Sequence, residues 1–345
     1  MTLRVIHVAE AYGGGVQTAI AAYIAATPQY EHELIVRARD GQDTARIPDG
    51  VAVTRLDGAL VGFLAGAARM LWDADFDIVH LHSSFAGVLR ALIPSRGAIV
   101  YTPHCYATES VSGWRRRIYW AAERALSARP QTVLAVSDRE SRLARALTDR
   151  AVVVTVPNAV PAGLRQAPMH AGHKGGRRVV AIGRICAQKG PTFFAAVAQL
   201  VGDRAEFIWI GDGDEGREAL LAAGVEITGW RRPEVVRAWL EDADLCLHTA
   251  AWEGSPLATL EAAAAGLPVV ARGIESMRSL GYVDAGSDPS QVAATVVAFF
   301  ADESERLRVC EATRALRSRY SDTAMATALG AAYETAVTSG GRRHR

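Results

Sequence analysis

The feature that most constrains this chain is an alternation of short apolar runs with stretches of helical spacing, sustained along most of its length. Runs at residues 3–8, 33–37, 77–81, 98–102, 132–136 and 152–156 read as strands. Their near-continuous apolarity marks strands covered on both faces. Parallel strands need a helix-bearing crossover between them, so the pattern predicts βαβ units around a parallel sheet, an α/β fold. The series resumes at Arg178–Ile182 and continues through Phe207–Ile210, Val225–Ile227, Asp244–Thr249 and Val269–Ala271. Between the two series, residues 166–177 hold Pro168, Gly172, Gly175 and Gly176 and fit neither period. The expected organisation is an N-terminal domain over 1–165, a linker over 166–177 and a second domain over 178–318. A last helix over 319–338 and a disordered tail over 339–345 follow. A chain of 345 residues divides naturally in two, because single cores seldom grow past about 250–300 residues.

Composition removes several classes of function. A formal charge of +1 gives no global attraction to nucleic acid. No apolar run approaches the roughly 18 residues of a membrane span. The first strand starts almost at once, without a signal-peptide pattern. Cys105, Cys186, Cys246 and Cys310 are widely spaced and form no Cys-x-x-Cys pair, so reduced packing thiols in a cytoplasmic protein are expected. The basic residues are nearly all Arg; the lysines are Lys174 and Lys189, which draws notice to the second.

The most chemically informative stretch follows the run Asp244–Thr249: Ala251-Trp252-Glu253-Gly254-Ser255-Pro256-Leu257-Ala258-Thr259-Leu260-Glu261. Ser255 suits an N-cap and Pro256 the first helical position, with good helix formers behind them. Unpaired N–H groups and partial positive charge at such a start make a seat for phosphate. Glu253 precedes the seat and Glu261 lies about one and a half turns beyond Ser255. Two carboxylates around an anion site suit a diphosphate flanked by hydroxyl-bearing groups, as in a sugar nucleotide. Earlier, Gly13-Gly14-Gly15 follows the first strand, where a dinucleotide fingerprint would sit. The third glycine of that fingerprint is missing, and Arg37-Ala38-Arg39-Asp40 offers arginines for an NADP phosphate but no clean acidic ribose ligand. An NADP-dependent oxidoreductase is thus one alternative. Ser112–Arg124 reads as a helix mixing aromatic and basic residues. It could dock on an anionic membrane surface, or turn its aromatics inward as a surface helix. His80 is expected to pack or bond locally, and His82 lies nearer the sheet's edge. His170 and His173 read as solvated.

These motifs resemble one family. Glu253 and Glu261 form the Glu-x7-Glu pattern of retaining glycosyltransferases of the GT-B fold, family 4. Gly183-Arg184…Lys189-Gly190, Thr102-Pro103-His104 and Gly266-Leu267-Pro268-Val269-Val270 are similar to that family too. The resemblance implies two Rossmann-like parallel-sheet domains facing across a cleft, with the last helix crossing back to the first. It implies transfer of a sugar from a nucleotide diphosphate donor, uridine rather than guanosine, to an acceptor hydroxyl with retention, by front-face attack. In that reading Glu253 holds sugar hydroxyls and Glu261 the ribose. Arg184, Lys189 and the amides of Gly254, Ser255, Pro256 and Leu257 surround the diphosphate, proline adding shape but no N–H. Trp230 and Arg231 flank the nucleobase. His104 lies beside the sugar, and the Gly14-Gly15 loop reaches toward it. Gln17 and Cys105 depart from the family pattern. Asp212-Gly213-Asp214 follows a strand, as the metal-binding Asp-x-Asp of another glycosyltransferase fold does. Here Asp212 and Asp214 read as turn and cap residues, so no metal or other cofactor is expected. The implied acceptor is a glycan or lipid-linked molecule of cell-envelope or exopolysaccharide synthesis at the inner membrane face. A sugar-nucleotide 2-epimerase of the same fold is the second alternative.

Overall fold

The computed structural model describes residues 2–37, 50–94, 96–148, 150–159 and 176–341. Arg39, Asp40, His170, His173, most of the expected linker and residues 342–345 lie outside them. The described chain forms two units. One runs to Ala159 and includes the helix that starts at Asp322; the other ends at Ser321.

The first unit contains β1 (Arg4–Ala9), α1 (Gly14–Ala26), β2 (Glu31–Arg37), β3 (Ala52–Leu56), α2 (Leu60–Asp73) and β4 (Ile78–His82). It continues through β5 (Ala98–Thr102), α3 (Gly113–Leu126), β6 (Thr132–Ala135), α4 (Asp138–Leu147) and β7 (Val152–Thr155). All seven strands are parallel, in the order β3-β2-β1-β4-β5-β6-β7. Side chains alternate across a strand, and this decides the two layers. Ile6, Val8, Val79, Leu81, Ile99 and Tyr101 enter a core with Phe63, Ala67 and Leu71 of α2. The intervening positions on the opposite face include His7, His80 and His82, all fully buried. The unit's last helix, α12 (Asp322–Gly341), lies along β5, β6 and β7, and its Tyr333 meets His80 edge-on.

The second unit contains β8 (Arg178–Ile182), α5 (Pro191–Val201), β9 (Glu206–Ile210), α6 (Arg217–Ala222), β10 (Glu226–Ile227) and α7 (Pro233–Asp242). It continues with β11 (Leu245–His248), α8 (Leu257–Ala264), β12 (Val269–Ala271), α9 (Glu275–Leu280), β13 (Val283–Asp284), α10 (Pro289–Ala301) and α11 (Glu303–Arg319). Its six strands are parallel, in the order β10-β9-β8-β11-β12-β13. Phe194, Phe207, Trp209, Leu247, Val292 and Phe299 build its core.

The α/β class and the two parallel sheets agree with the sequence pattern. Strands β3 and β13 are edge strands that periodicity missed, because β3 is mostly part-exposed and β13 has two residues. Helix α1 begins at Gly14, so the glycine stretch after β1 runs directly into the helix. Helix α12 continues through Gly341, so residues 339–341, expected in the tail, are helical.

Candidate active site

In each unit the strand order reverses beside the first strand: between β1 and β4, and between β8 and β11. Loops leaving neighbouring strands there diverge, which opens the carboxyl edge of an α/β sheet to ligands. The sequence-chosen residues fall at these edges.

In the second unit, the loop after β8 tightens into a short turn over Ala187–Lys189 and ends at Gly190, which is left-handed at φ 68°. A Cβ at Gly190 would sit 2.4 Å from the Thr249 carbonyl oxygen, so only glycine lets the two loops come this close. They are then stitched together. Thr249 Oγ1 donates to the Lys189 carbonyl at 2.9 Å, the Ala251 amide to the Gln188 carbonyl at 2.8 Å, and Gln188 Nε2 to the Trp252 carbonyl at 3.3 Å. The result joins two residues 64 positions apart: Lys189 Nζ forms an ion pair with Glu253 Oε1. The Lys189 stem lies over Gly183, where a Cβ would meet its Cε at 3.3 Å.

Glu253 is buried. Burial alone would raise its carboxyl, but the Lys189 charge beside it outweighs that and brings it to about 2. His248 Nε2 lies 3.4 Å from Glu253 Oε1, out of line for a hydrogen bond. Burial lowers His248, so its ring is neutral near pH 7. An ionised carboxylate only accepts hydrogen bonds, so Glu253 is a fixed acceptor. His248 was not among the expected site residues. Its signal was a histidine ending an otherwise apolar strand, five residues before Glu253.

Gly254, Ser255, Pro256 and Leu257 are buried and lead straight into α8. Here the structure corrects the expected cap: helix α8 starts at Leu257, and the capping position is Pro256, not Ser255. The reason is local. Pro256 is held extended at ψ 111°, and Thr259 Oγ1 turns back to donate to its carbonyl at 2.8 Å. Pro256, at the cap position, has no side-chain group to cap the first turn of α8, whose N–H groups are directed at the edge of the sheet. Glu261, in the second turn, has no side-chain partner among the described residues, and burial pushes its carboxyl up to about 7. Arg184 is exposed and pairs with no described residue. Trp230 is 65% exposed beside exposed Arg231, just beyond β10, two strands from β8. Asp212 is a turn residue: its Oδ1 accepts from the Gly213 amide at 2.9 Å and pairs with Arg217. The cap of α6 is Gly216, so Asp214 does not fill that place.

In the first unit, Gly14 and Gly15 open helix α1, with Gly14 at φ 53° and open space where its Cβ would lie. Two strands along, β5 ends at Thr102 and the chain turns through His104 at φ 55° and Cys105 at φ 119°. Such conformations in non-glycine residues cost on the order of 1–3 kcal/mol each and persist where surroundings over-determine them. Glu140 supplies that restraint. Its buried carboxylate accepts from the Cys105 amide at 2.9 Å and the Val136 amide at 2.7 Å. His104 Nε2 lies 3.0 Å from His82 Nδ1, and burial lowers the His104 ring to about 4.

The segment 112–124 is largely helix α3, with Ser112 at the cap position but its side chain making no capping bond. Its fully buried residue is Glu123, in an ion pair with Arg90 at 2.6 Å, while Trp120 packs partly on the core. The opposite side shows Trp114 at 67% and Ile118 at 53% exposure, with Arg115, Arg116 and Arg117 exposed around them.

Comparison with known proteins places this geometry. A family model described as a glycosyl transferase 4-like domain matches residues 14–159, and one described as glycosyl transferases group 1 matches residues 176–302. A UDP-Gal:alpha-D-GlcNAc-diphosphoundecaprenol alpha-1,3-galactosyltransferase of Escherichia coli is 26% identical over 61% of this chain and 62% of its own. A phosphatidyl-myo-inositol mannosyltransferase of Mycobacterium leprae is 29% identical over 79% and 77%. A 41.2 kDa protein of the cps region of Klebsiella pneumoniae is 26% identical over 80% and 82%. Among solved structures, HepE of Anabaena, in complex with UDP and glucose, superposes with a TM-score of 0.80 at 15% identity, covering 96% of this chain and 100% of that one. Two parallel-sheet units, with the sequence motifs at their carboxyl edges and both family models matched in turn, make this chain a group 1 glycosyltransferase of family 4, with the GT-B fold.

Proposed function

We propose that the protein transfers a sugar from a UDP-sugar to a hydroxyl of a lipid-linked glycan acceptor, with retention and without a metal ion. The observation that carries this reading is the ion pair of Lys189 with the buried Glu253, beside the start of α8, where Pro256 has no side-chain group to cap the helix. A diphosphate arriving at that start offers Lys189 a second anion. Glu253, ionised and able only to accept, then takes donor O–H groups from the sugar. As the glycosidic bond breaks, negative charge grows on the departing diphosphate, and catalysis needs positive charge already in position. Lys189, Arg184 and the amides of Gly254, Ser255 and Leu257 supply it. Glu261 accepts from the ribose hydroxyls, Trp230 and Arg231 flank the base, and His104 with the Gly14-Gly15 turn contacts the sugar. The Asp212 and Asp214 placement supports a metal-independent reaction, since Asp212 is spent on a turn and on Arg217.

The UDP donor is supported by the galactosyltransferase, named for UDP-Gal, and by HepE, solved with UDP and glucose. The lipid-linked acceptor is supported by the diphosphoundecaprenol and phosphatidyl-myo-inositol in the relatives' names. Among the described residues no helix is long and apolar enough to cross a membrane. In this reading the exposed Trp114, Ile118 and arginines of α3 are the surface that meets such an acceptor at the inner membrane face.

The test is a thermal-shift and calorimetric screen of UDP-, GDP- and ADP-sugars, followed by transfer assays with and without EDTA. UDP-sugars should bind selectively, and EDTA should leave transfer intact. Lys189→Ala and Glu253→Gln should each lower turnover by about 10²–10³, and the glycoside should keep the donor's anomeric configuration. Near-normal turnover in either variant, a strict divalent-metal requirement or an inverted product would overturn the reading.

A further inference from the structure

Behind His104 stands a row of imidazoles that the proposed mechanism leaves unused. His32 Nδ1 lies 3.1 Å from His7 Nε2, His7 Nδ1 lies 3.0 Å from His82 Nε2, and His82 Nδ1 lies 3.0 Å from His104 Nε2. The row crosses β2, β1 and β4 in the order in which these strands lie in the sheet and ends beyond β5. Tyr23 of α1 lies over its inner part, with ring centroids 6.1 Å from His82 and 6.4 Å from His104. Its far end is anchored: His32 Nε2 lies 3.0 Å from the Thr27 carbonyl oxygen, and a carbonyl only accepts.

That anchor fixes the direction of every bond. His32 must carry its proton on Nε2 to donate to Thr27. A neutral imidazole has one donor and one acceptor nitrogen, so His32 Nδ1 accepts from His7 Nε2–H. His7 Nδ1 then accepts from His82 Nε2–H, and His82 Nδ1 accepts from His104 Nε2–H. Burial disfavours the charged form along the whole row, so the rings stay neutral. His104 Nδ1 is left as a lone pair with no partner among the described residues, at the sheet edge. We propose that His7, His32 and His82 are positioning residues that lock His104 as the Nε2–H tautomer, so that its Nδ1 is an obligate acceptor for a sugar hydroxyl. The ligand assignment rests on the glycosyltransferase reading; the tautomer lock does not.

A metal centre is the competing use of these side chains, since His7, His80 and His82 bring ring nitrogens within 4.8 Å of one another. The geometry favours the hydrogen-bonded row. Both His80 nitrogens are already engaged, at 2.8 Å from the Tyr333 hydroxyl and 2.8 Å from Thr102 Oγ1. No carboxylate joins this group among the described residues, and an uncompensated dication at such depth is costly.

The experiment is ¹⁵N NMR on histidine-labelled, ligand-free protein, which does not depend on activity. It should show Nε2–H on all four rings and N–N couplings across the three imidazole hydrogen bonds. In His7→Phe, two rings from His104, the His104 nitrogen shifts should move toward a tautomer mixture. His7→Gln, whose amide can donate to His32 and accept from His82, should restore them. In assays, His7→Phe should raise KM for the nucleotide sugar about fivefold, the worth of roughly one neutral hydrogen bond, with kcat within about twofold of wild type. A His7 that merely packs would leave the His104 tautomer unmoved. A proton on His104 Nδ1 in wild type, absent couplings, or stoichiometric zinc on purified protein displacing these N–H signals would each overturn the lock. If UDP-sugars fail to bind but the couplings are present, the function falls and the lock stands. Should His7→Phe not fold, the wild-type couplings alone decide.

Discussion

At the scale of single residues, the decisive fact is which charges are matched inside the protein and which are left for a ligand. Lys189 and Glu253 neutralise one another, while Glu261 is half-buried with no partner among the described residues. Burial raises Glu261 to about 7 from the ordinary value of 4.5. The folded protein therefore holds a proton there that the unfolded chain has released, so this residue lowers stability as pH rises from 4.5 through 7. Glu261→Gln should raise the melting temperature at pH 8 by about 2–4 °C, for a relief on the order of 1 kcal/mol. It should change little at pH 4.5, and it should weaken nucleotide binding. Melting curves at the two pH values check this, and equal shifts at both would contradict it. The buried histidines act in the opposite sense. Their lowered values mean that acid is taken up only on unfolding, so their contribution is lost as pH falls below about 6.5.

Helix α3 is anchored from below by the buried Arg90–Glu123 pair, with Arg90 stacked 3.9 Å over the Tyr101 ring. Breaking such a pair costs about 3–5 kcal/mol, so the helix does not depend on its outer apolar residues for its place. Trp114 and Ile118, four apart, share one side of a helix and are left to solvent amid three arginines. We expect vesicles containing anionic lipid to retain the protein and neutral vesicles to retain it poorly. Replacing Arg115, Arg116 and Arg117 by Gln should weaken retention by about 1 kcal/mol per residue, and Trp114→Ala should weaken it further, both with unchanged melting temperature. Co-sedimentation checks this; equal retention by both vesicle types would refute it. Periodicity found most elements but not their ends. Ser255 looked like a cap because serine is a good one, yet Thr259 competes for the Pro256 carbonyl and the helix starts at Leu257.

For the whole molecule, the last helix belongs to the first unit. Met325, Leu329, Ala332, Tyr333 and Ala336 of α12 are buried, and Tyr333 hydrogen-bonds His80. Ending the chain at Ser321 should therefore strip one face of the first sheet and leave buried His80 without its hydroxyl partner. The truncated protein should lose the first unit's melting transition while the second unit's persists, as scanning calorimetry or hydrogen exchange would show. Retention of both transitions would contradict it.

The sequence by itself determined the α/β class, the parallel strands and the loops in which Glu253, Lys189 and His104 sit. Those properties follow from local rules: side-chain period, turn chemistry and the residues beside a strand's end. Only the tertiary structure decided that Lys189 closes on Glu253, that His248 stands beside them, and that His32, His7, His82 and His104 form one directed row. Such contacts depend on strand order and register, which juxtapose residues many positions apart. A histidine in an apolar strand can show that something polar lies opposite, but not which nitrogen faces which partner.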